Sequence, residues 1–137
     1  MRKKSMIAVT LSAALVLAGA AQGAPFDWTR FADTETIEIV TTDEDGDQRL
    51  TTVWIVVVDW QAYIRTSGTT TWGDNVEREG ALELREVGGH RPLRAEKVLS
   101  EAEIERVVAA FREKYGRTDA VMEFLRFGGR RVFRLVE

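Results

Sequence analysis

Residues 36–58 read TIEIVTTDEDGDQRLTTVWIVVV, and the fold class turns on this stretch. Thr36 to Thr42 alternate apolar and polar side chains and are rich in β-branched types, the pattern of a strand with one buried face. Asp43 to Asp47, acidic apart from Gly46, marks a turn between two strands. Gln48 to Val58 follows. Its apolar run Val53 to Val58 suits a strand covered on both faces. The acidic run also resembles the start of a calcium loop. Trp54 stands where such a loop ends in glutamate, so a hairpin turn is expected.

Outward from this pair, Asp59 to Gln61 reads as a tight connection and Ala62 to Thr66 as a third strand. Ser67 to Thr71 is a small-residue loop, and Trp72 to Glu79 a short helix. Ala81 to Val87 and His90 to Val98 are two more strands about a Gly88-Gly89 turn. Pro92 predicts a sheet edge or bulge there, because proline has no N–H for the ladder. The period then changes. Ser100 to Tyr115 predicts a helix that opens on a Ser100/Glu103 capping box and ends before Gly116. Its Ile104, Val107, Val108, Phe111 and Tyr115 share one face. Glu101, Glu103, Glu105 and Arg106 read as its solvated face. Thr118 to Phe127 predicts a second helix, broken by Gly128-Gly129, and Arg131 to Val136 a closing strand. The expectation is an α+β domain: about six antiparallel strands in a small barrel, with one long and one or two short helices.

The N-terminus reads as an export signal. Arg2, Lys3 and Lys4 precede an apolar stretch, Ile7 to Leu17, and then small residues up to Ala24. Cleavage is expected after Ala20 or Gly23, since the stretch is shorter than the ~20 apolar residues that span a bilayer. This divides the chain into a signal peptide (1–23), a lead-in (24–35) and the barrel domain (36–137), with no membrane span after cleavage and a periplasmic or secreted location.

Composition excludes several functions. Cleavage removes three of the 19 basic residues and none of the 22 acidic ones, and an acidic domain is a poor partner for nucleic acid. With no Cys and one His, neither a disulfide framework nor a zinc site is expected. His90 reads as an exposed strand start, and no nucleophile–base set or carboxylate pair emerges.

Three features in order carry a family resemblance: the strand pair around the acidic turn, ending in Leu50-Thr51-Thr52-Val53-Trp54-Ile55, then Tyr63-Ile64-Arg65-Thr66, and then Trp72 with Asn75 in the short helix. Lys114-Tyr115-Gly116 at the long helix end adds a fourth. Together they resemble the flavin-binding split-barrel superfamily of pyridoxamine-phosphate oxidases and deazaflavin-dependent reductases. Within it, they are most similar to a small bacterial family of unknown function. The resemblance implies a homodimer that binds FMN or a deazaflavin, a small planar anionic ligand. Thr52, Val53 and Trp54 would line its ring, while Arg65, Thr66 and Ser67 hold phosphate beside Trp72. The chain departs from that pattern where flavin-binding split barrels commonly carry a lysine, since Trp72-Gly73-Asp74-Asn75 stands here.

The residues leave alternatives open. Arg65 suits phosphate through its fork of donors, or is a solvated strand end. Trp54 stacks on a ring or packs in the core. Trp72 is a lid or a dimer contact. The functional expectation is therefore a flavin-type oxidoreductase, in which the cofactor carries the chemistry, or a non-catalytic exported ligand-binding or interaction domain.

Overall fold

The computed structural model describes residues 26–66, 68–116 and 131–137. Six strands, β1 (Thr36–Thr42), β2 (Gln48–Val58), β3 (Gln61–Thr66), β4 (Ala81–Glu86), β5 (Gly89–Lys97) and β6 (Arg131–Val136), close into an antiparallel barrel in the order β1-β2-β3-β6-β5-β4. Helix α1 (Thr71–Glu79) links β3 to β4, and α2 (Glu101–Tyr115) follows β5. The α+β small barrel read from the sequence is the fold observed. The predicted helix over 118–127 and the Gly128-Gly129 break lie outside the described residues.

Alternation decides what fills the barrel. Ile37, Ile39, Val53, Ile55, Ile64, Leu82, Leu84, Phe133 and Leu135 point inward as one buried cluster. The opposite faces of β2, β3 and β6 present Val56, Tyr63 and Val132 to Ile104, Val107, Val108 and Phe111 of α2. The apolar run in β2 is thus covered on both sides, as its composition requires.

The two barrel ends are closed differently. The lower end holds the β2–β3 and β4–β5 hairpins. Asp59 and Trp60 turn the first, both at positive φ (49° and 68°), and Val58 pairs with Gln61. Trp28, in a 3₁₀ turn (Trp28–Phe31), is buried with the barrel core, so part of the lead-in plugs this end. The upper end holds the β1–β2 hairpin and α1, whose Val76 is fully buried. In the acidic hairpin Asp43 accepts a bidentate fork from Arg49 at 2.9 and 3.1 Å. Pro92 lies within a strand paired on both sides, yet it pairs only with Glu83, because the β5–β6 ladder begins at Arg94. Its missing N–H therefore costs no ladder bond.

One expectation is overturned. Ser100 Oγ caps α2 by accepting from the Glu103 N–H at 3.3 Å, but Glu103 is not on a solvated face. Its carboxylate accepts from the Tyr63 hydroxyl at 2.6 Å and from Arg134. Both partners sit on the barrel's outer wall beneath the helix, which periodicity within α2 cannot reveal. Arg134 and Tyr63 hold the Glu103 carboxyl below its usual range. Burial, and then the bond to Glu103, push the Tyr63 hydroxyl up. Among the described residues no helix is long and apolar enough to cross a membrane.

A depressed native carboxyl stabilises the fold fully above the ordinary glutamate range and loses that contribution as pH falls toward the depressed value. Glu103→Gln should therefore lower stability at pH 7 by about 1–2 kcal/mol and flatten the acid limb of the stability curve. Urea unfolding between pH 3 and 7 measures both effects. An acid limb identical to that of the parent chain would contradict the assignment.

Candidate functional site

The register of β2 locates an opening in the barrel wall. Gln48 to Trp54 pair with β1, while Ile55 to Val58 pair with β3. Continued one step further, the β2–β3 register would set Trp54 opposite Arg65 and Val53 opposite Thr66. Those pairs are not made, although β3 stays paired with β6 as far as Thr66↔Arg131. The strands part, and the gap is a notch of about 300 Å³ lined by Thr52, Val53, Trp54, Arg65, Thr66, Thr70 and Trp72. Trp54 and Arg65 alternate with Val53 and Thr66 along their strands, so the lining draws on both faces of the wall.

Six of the seven residues that the resemblance selects thus stand together around one cavity. Ser67 lies outside the described residues. Arg65 is only 5% exposed, which removes the solvated strand-end reading. It is the charged residue in the described lining, among threonines, a valine and two indoles. Trp54 packs within the fold and is also placed at the cavity. Its ring stacks on Tyr115 at 4.7 Å and 16°, and it also borders the notch. Trp72 is half-buried against the barrel core at the start of α1. The Thr66 and Thr70 hydroxyls bond to each other.

Helix α1 is fixed by polar groups on nearly every side. Thr70 Oγ1 caps it by accepting from the Gly73 N–H at 3.3 Å. Buried Asn75 donates to Thr41 Oγ1 at 3.1 Å and Asp43 Oδ1 at 2.7 Å, and accepts from Arg78 at 3.0 Å. Asp74, in the segment where flavin-binding split barrels commonly carry a lysine, is paired with Arg131 at 2.8 Å. That guanidinium also donates to Glu77 at 3.0 Å, and Lys97 bonds Glu77 at 2.5 Å. Arg65 is thus the charged side chain among the described residues that line the notch.

Thr70, Lys114 and Tyr115 were not foreseen as parts of this region. A threonine just before a helical run is a legible cap signal, and α1 starts one residue earlier than the sequence predicts. His90 is at the lower end, bonded to Glu83 at 2.9 Å, away from the notch. Among the described residues no cluster of His, Cys, Asp and Glu could hold a metal ion.

The partner change in β2 and the notch behind it define a split-barrel protein. The chain belongs to the family of uncharacterized proteins conserved in bacteria known as DUF2255, whose model matches residues 27–128. No curated protein matches the sequence. Among solved structures, HutZ, the heme storage protein from Vibrio cholerae, superposes with a TM-score of 0.62 at 16% identity, covering 79% of this chain and 85% of HutZ. ChuZ from Campylobacter jejuni gives 0.63 at 12% identity, covering 90% of this chain and 58% of ChuZ. The conserved hypothetical protein Rv2991 from Mycobacterium tuberculosis gives 0.57 at 19% identity over 98% and 85%. Identities this low establish the shared fold.

The notch depends on close approach of α1 to β3. A Cβ on Gly73 would meet Arg131 Nη2 at 2.5 Å, Thr66 Cγ2 at 2.6 Å and Thr70 Oγ1 at 2.7 Å. Gly73→Ala should push the helix start outward and cost about 1–3 kcal/mol, measured by urea unfolding, the range for overpacking. A variant as stable as the parent would show that the three neighbours yield freely.

Proposed function

We propose that the notch binds a planar, phosphate-bearing molecule of the flavin or deazaflavin class, and that the domain is exported. The observation that carries the ligand reading is a nearly buried guanidinium, Arg65, on the same wall as an indole, Trp54. The fork of an arginine matches phosphate oxygens. The Trp54 and Trp72 indoles offer flat apolar surface, and the Thr52 hydroxyl offers a hydrogen bond at the rim. The basic, then apolar, N-terminal stretch supports export.

HutZ raises heme as a rival planar ligand. The residues here fit it less well. The described lining of the notch contains no histidine, cysteine, methionine or tyrosine to ligate iron. The chain's one histidine, His90, is at the other end of the barrel, and both tyrosine hydroxyls are engaged within the fold. A flavin would supply the redox chemistry. The chain's own residues would orient the ring, neutralise its phosphate and exclude water, so a lining without acid–base groups is consistent with this reading.

The full chain purified from its native host should show a flavin or deazaflavin absorbance band, or take up added FMN. Arg65→Ala should weaken FMN by about 1.5–3 kcal/mol, the range for a charge-assisted bond. A colourless protein that ignores FMN would overturn the flavin reading in favour of a binding or interaction domain. An Arg65→Ala variant of unchanged affinity would remove Arg65 from the site.

A further inference from the structure

The point where β2 changes partner has two exposed backbone edges. The edge toward β3 opens into the notch. The edge toward β1 is closed by the last turn of α2. Tyr115 Oη accepts from the Ile55 N–H at 2.9 Å, and its own proton is within reach of the Glu35 carbonyl at 2.6 Å and the Ile55 carbonyl at 2.7 Å. Continuing the β1–β2 register past Thr36↔Trp54 would place Glu35 opposite Ile55, so the hydroxyl bridges the next rung of the ladder. Lys114 Nζ donates to the carbonyls of Thr34 at 2.6 Å, Ile55 at 2.7 Å and Phe31 at 3.4 Å. All three ammonium protons therefore have backbone acceptors.

We infer that Lys114 and Tyr115 are positioning residues for the notch: they clamp β2 at Ile55 and set the Trp54 indole against the bound ring. The inference rests on the reading of the notch as a ligand site. The clamp and the stack belong to one side chain. While the Tyr115 hydroxyl is bonded at Ile55, its ring lies 4.7 Å from Trp54, the residue next along the strand. Buried Phe111 backs that ring from one turn earlier at 5.8 Å and 22°. A rigid chain of contacts thus runs from the α2 core contact, through Tyr115, to the indole at the notch. A helix end that served only to cover the sheet would need neither the near-parallel stack nor a hydroxyl aimed at the residue beside Trp54. Lys114 adds a fixed point on the same carbonyl, so strand and helix end move together.

The test uses the full chain with FMN as the probe. Tyr115→Phe keeps the ring and loses the clamp, and should weaken FMN about threefold. Tyr115→Leu loses both and should weaken it about tenfold or more. The near-UV circular dichroism of the ligand-free chain is a second readout. The Trp54–Tyr115 pair signal should persist in Tyr115→Phe and vanish in Tyr115→Leu. A purely structural role would lower the thermal midpoint in both variants while leaving FMN affinity unchanged well below that midpoint, and this result overturns the inference. Should Tyr115→Leu fail to fold, unchanged FMN affinity in Tyr115→Phe overturns it alone. If the parent chain binds no FMN, the ligand reading fails and the inference falls with it. If the parent binds and the variants bind equally, only the inference falls.

Discussion

The switch of β2 from β1 to β3 between Trp54 and Ile55 is the constraint around which the rest of the molecule is arranged. Along its whole length this strand has a ladder on one side only at any point. Each switch leaves two backbone edges without strand partners, and buried backbone groups left unpaired are costly. The chain resolves the two edges in opposite ways. Toward β1 it supplies substitutes, the Tyr115 hydroxyl and the Lys114 ammonium, from the end of α2. Toward β3 it leaves the wall open. The cavity is therefore a consequence of strand pairing before it is anything else.

Charge is used in the same economical way on the barrel's outside. Arg134 and Tyr63 draw Glu103 under α2, and Arg131 ties Asp74 and Glu77 of α1 to the start of β6. These pairs are only partly withdrawn from water, so each contributes modestly to stability. Their larger effect is on orientation. They hold one helix across the outer wall and the other over the upper opening. Arg65 is the charged residue in the described lining of the notch. Lys114, buried among carbonyls, has its ammonium pushed below the usual lysine range by that burial, while Asp33 and Glu35 partly offset the shift.

Small split barrels host unrelated ligands on one scaffold, so shared architecture with HutZ, ChuZ or Rv2991 does not transmit an activity. What bears on function is the chain's own lining. It offers a cation, hydroxyls and indoles, and no iron ligand among the described residues. Membership of the DUF2255 family places the same domain in other bacterial chains. The functional proposal therefore stands on residues 52–54, 65, 66, 70 and 72 and not on the neighbours' names.

Strands, hairpins and the long helix were legible in the sequence because each is written in local terms: alternation in Thr36–Thr42, a glycine-centred acidic turn, β-branched runs, a serine cap at Ser100. The inward–outward choice in β2 was legible too, since Val53 and Ile55 must share a face that Trp54 and Val56 do not. Arg65 and Trp54 were named as site residues by resemblance alone. Nothing local distinguishes a buried arginine at a strand end from a solvated one. The tertiary structure decided that: Arg65 is buried in the assembled barrel, at the point where β2 and β3 stop pairing. It also decided that Glu103 faces the barrel and that Tyr115 and Lys114 reach Ile55 some sixty residues back along the chain. Periodicity reports which face of an element is apolar. Only the assembled barrel determines which backbone edge, and which charge, that face comes to meet.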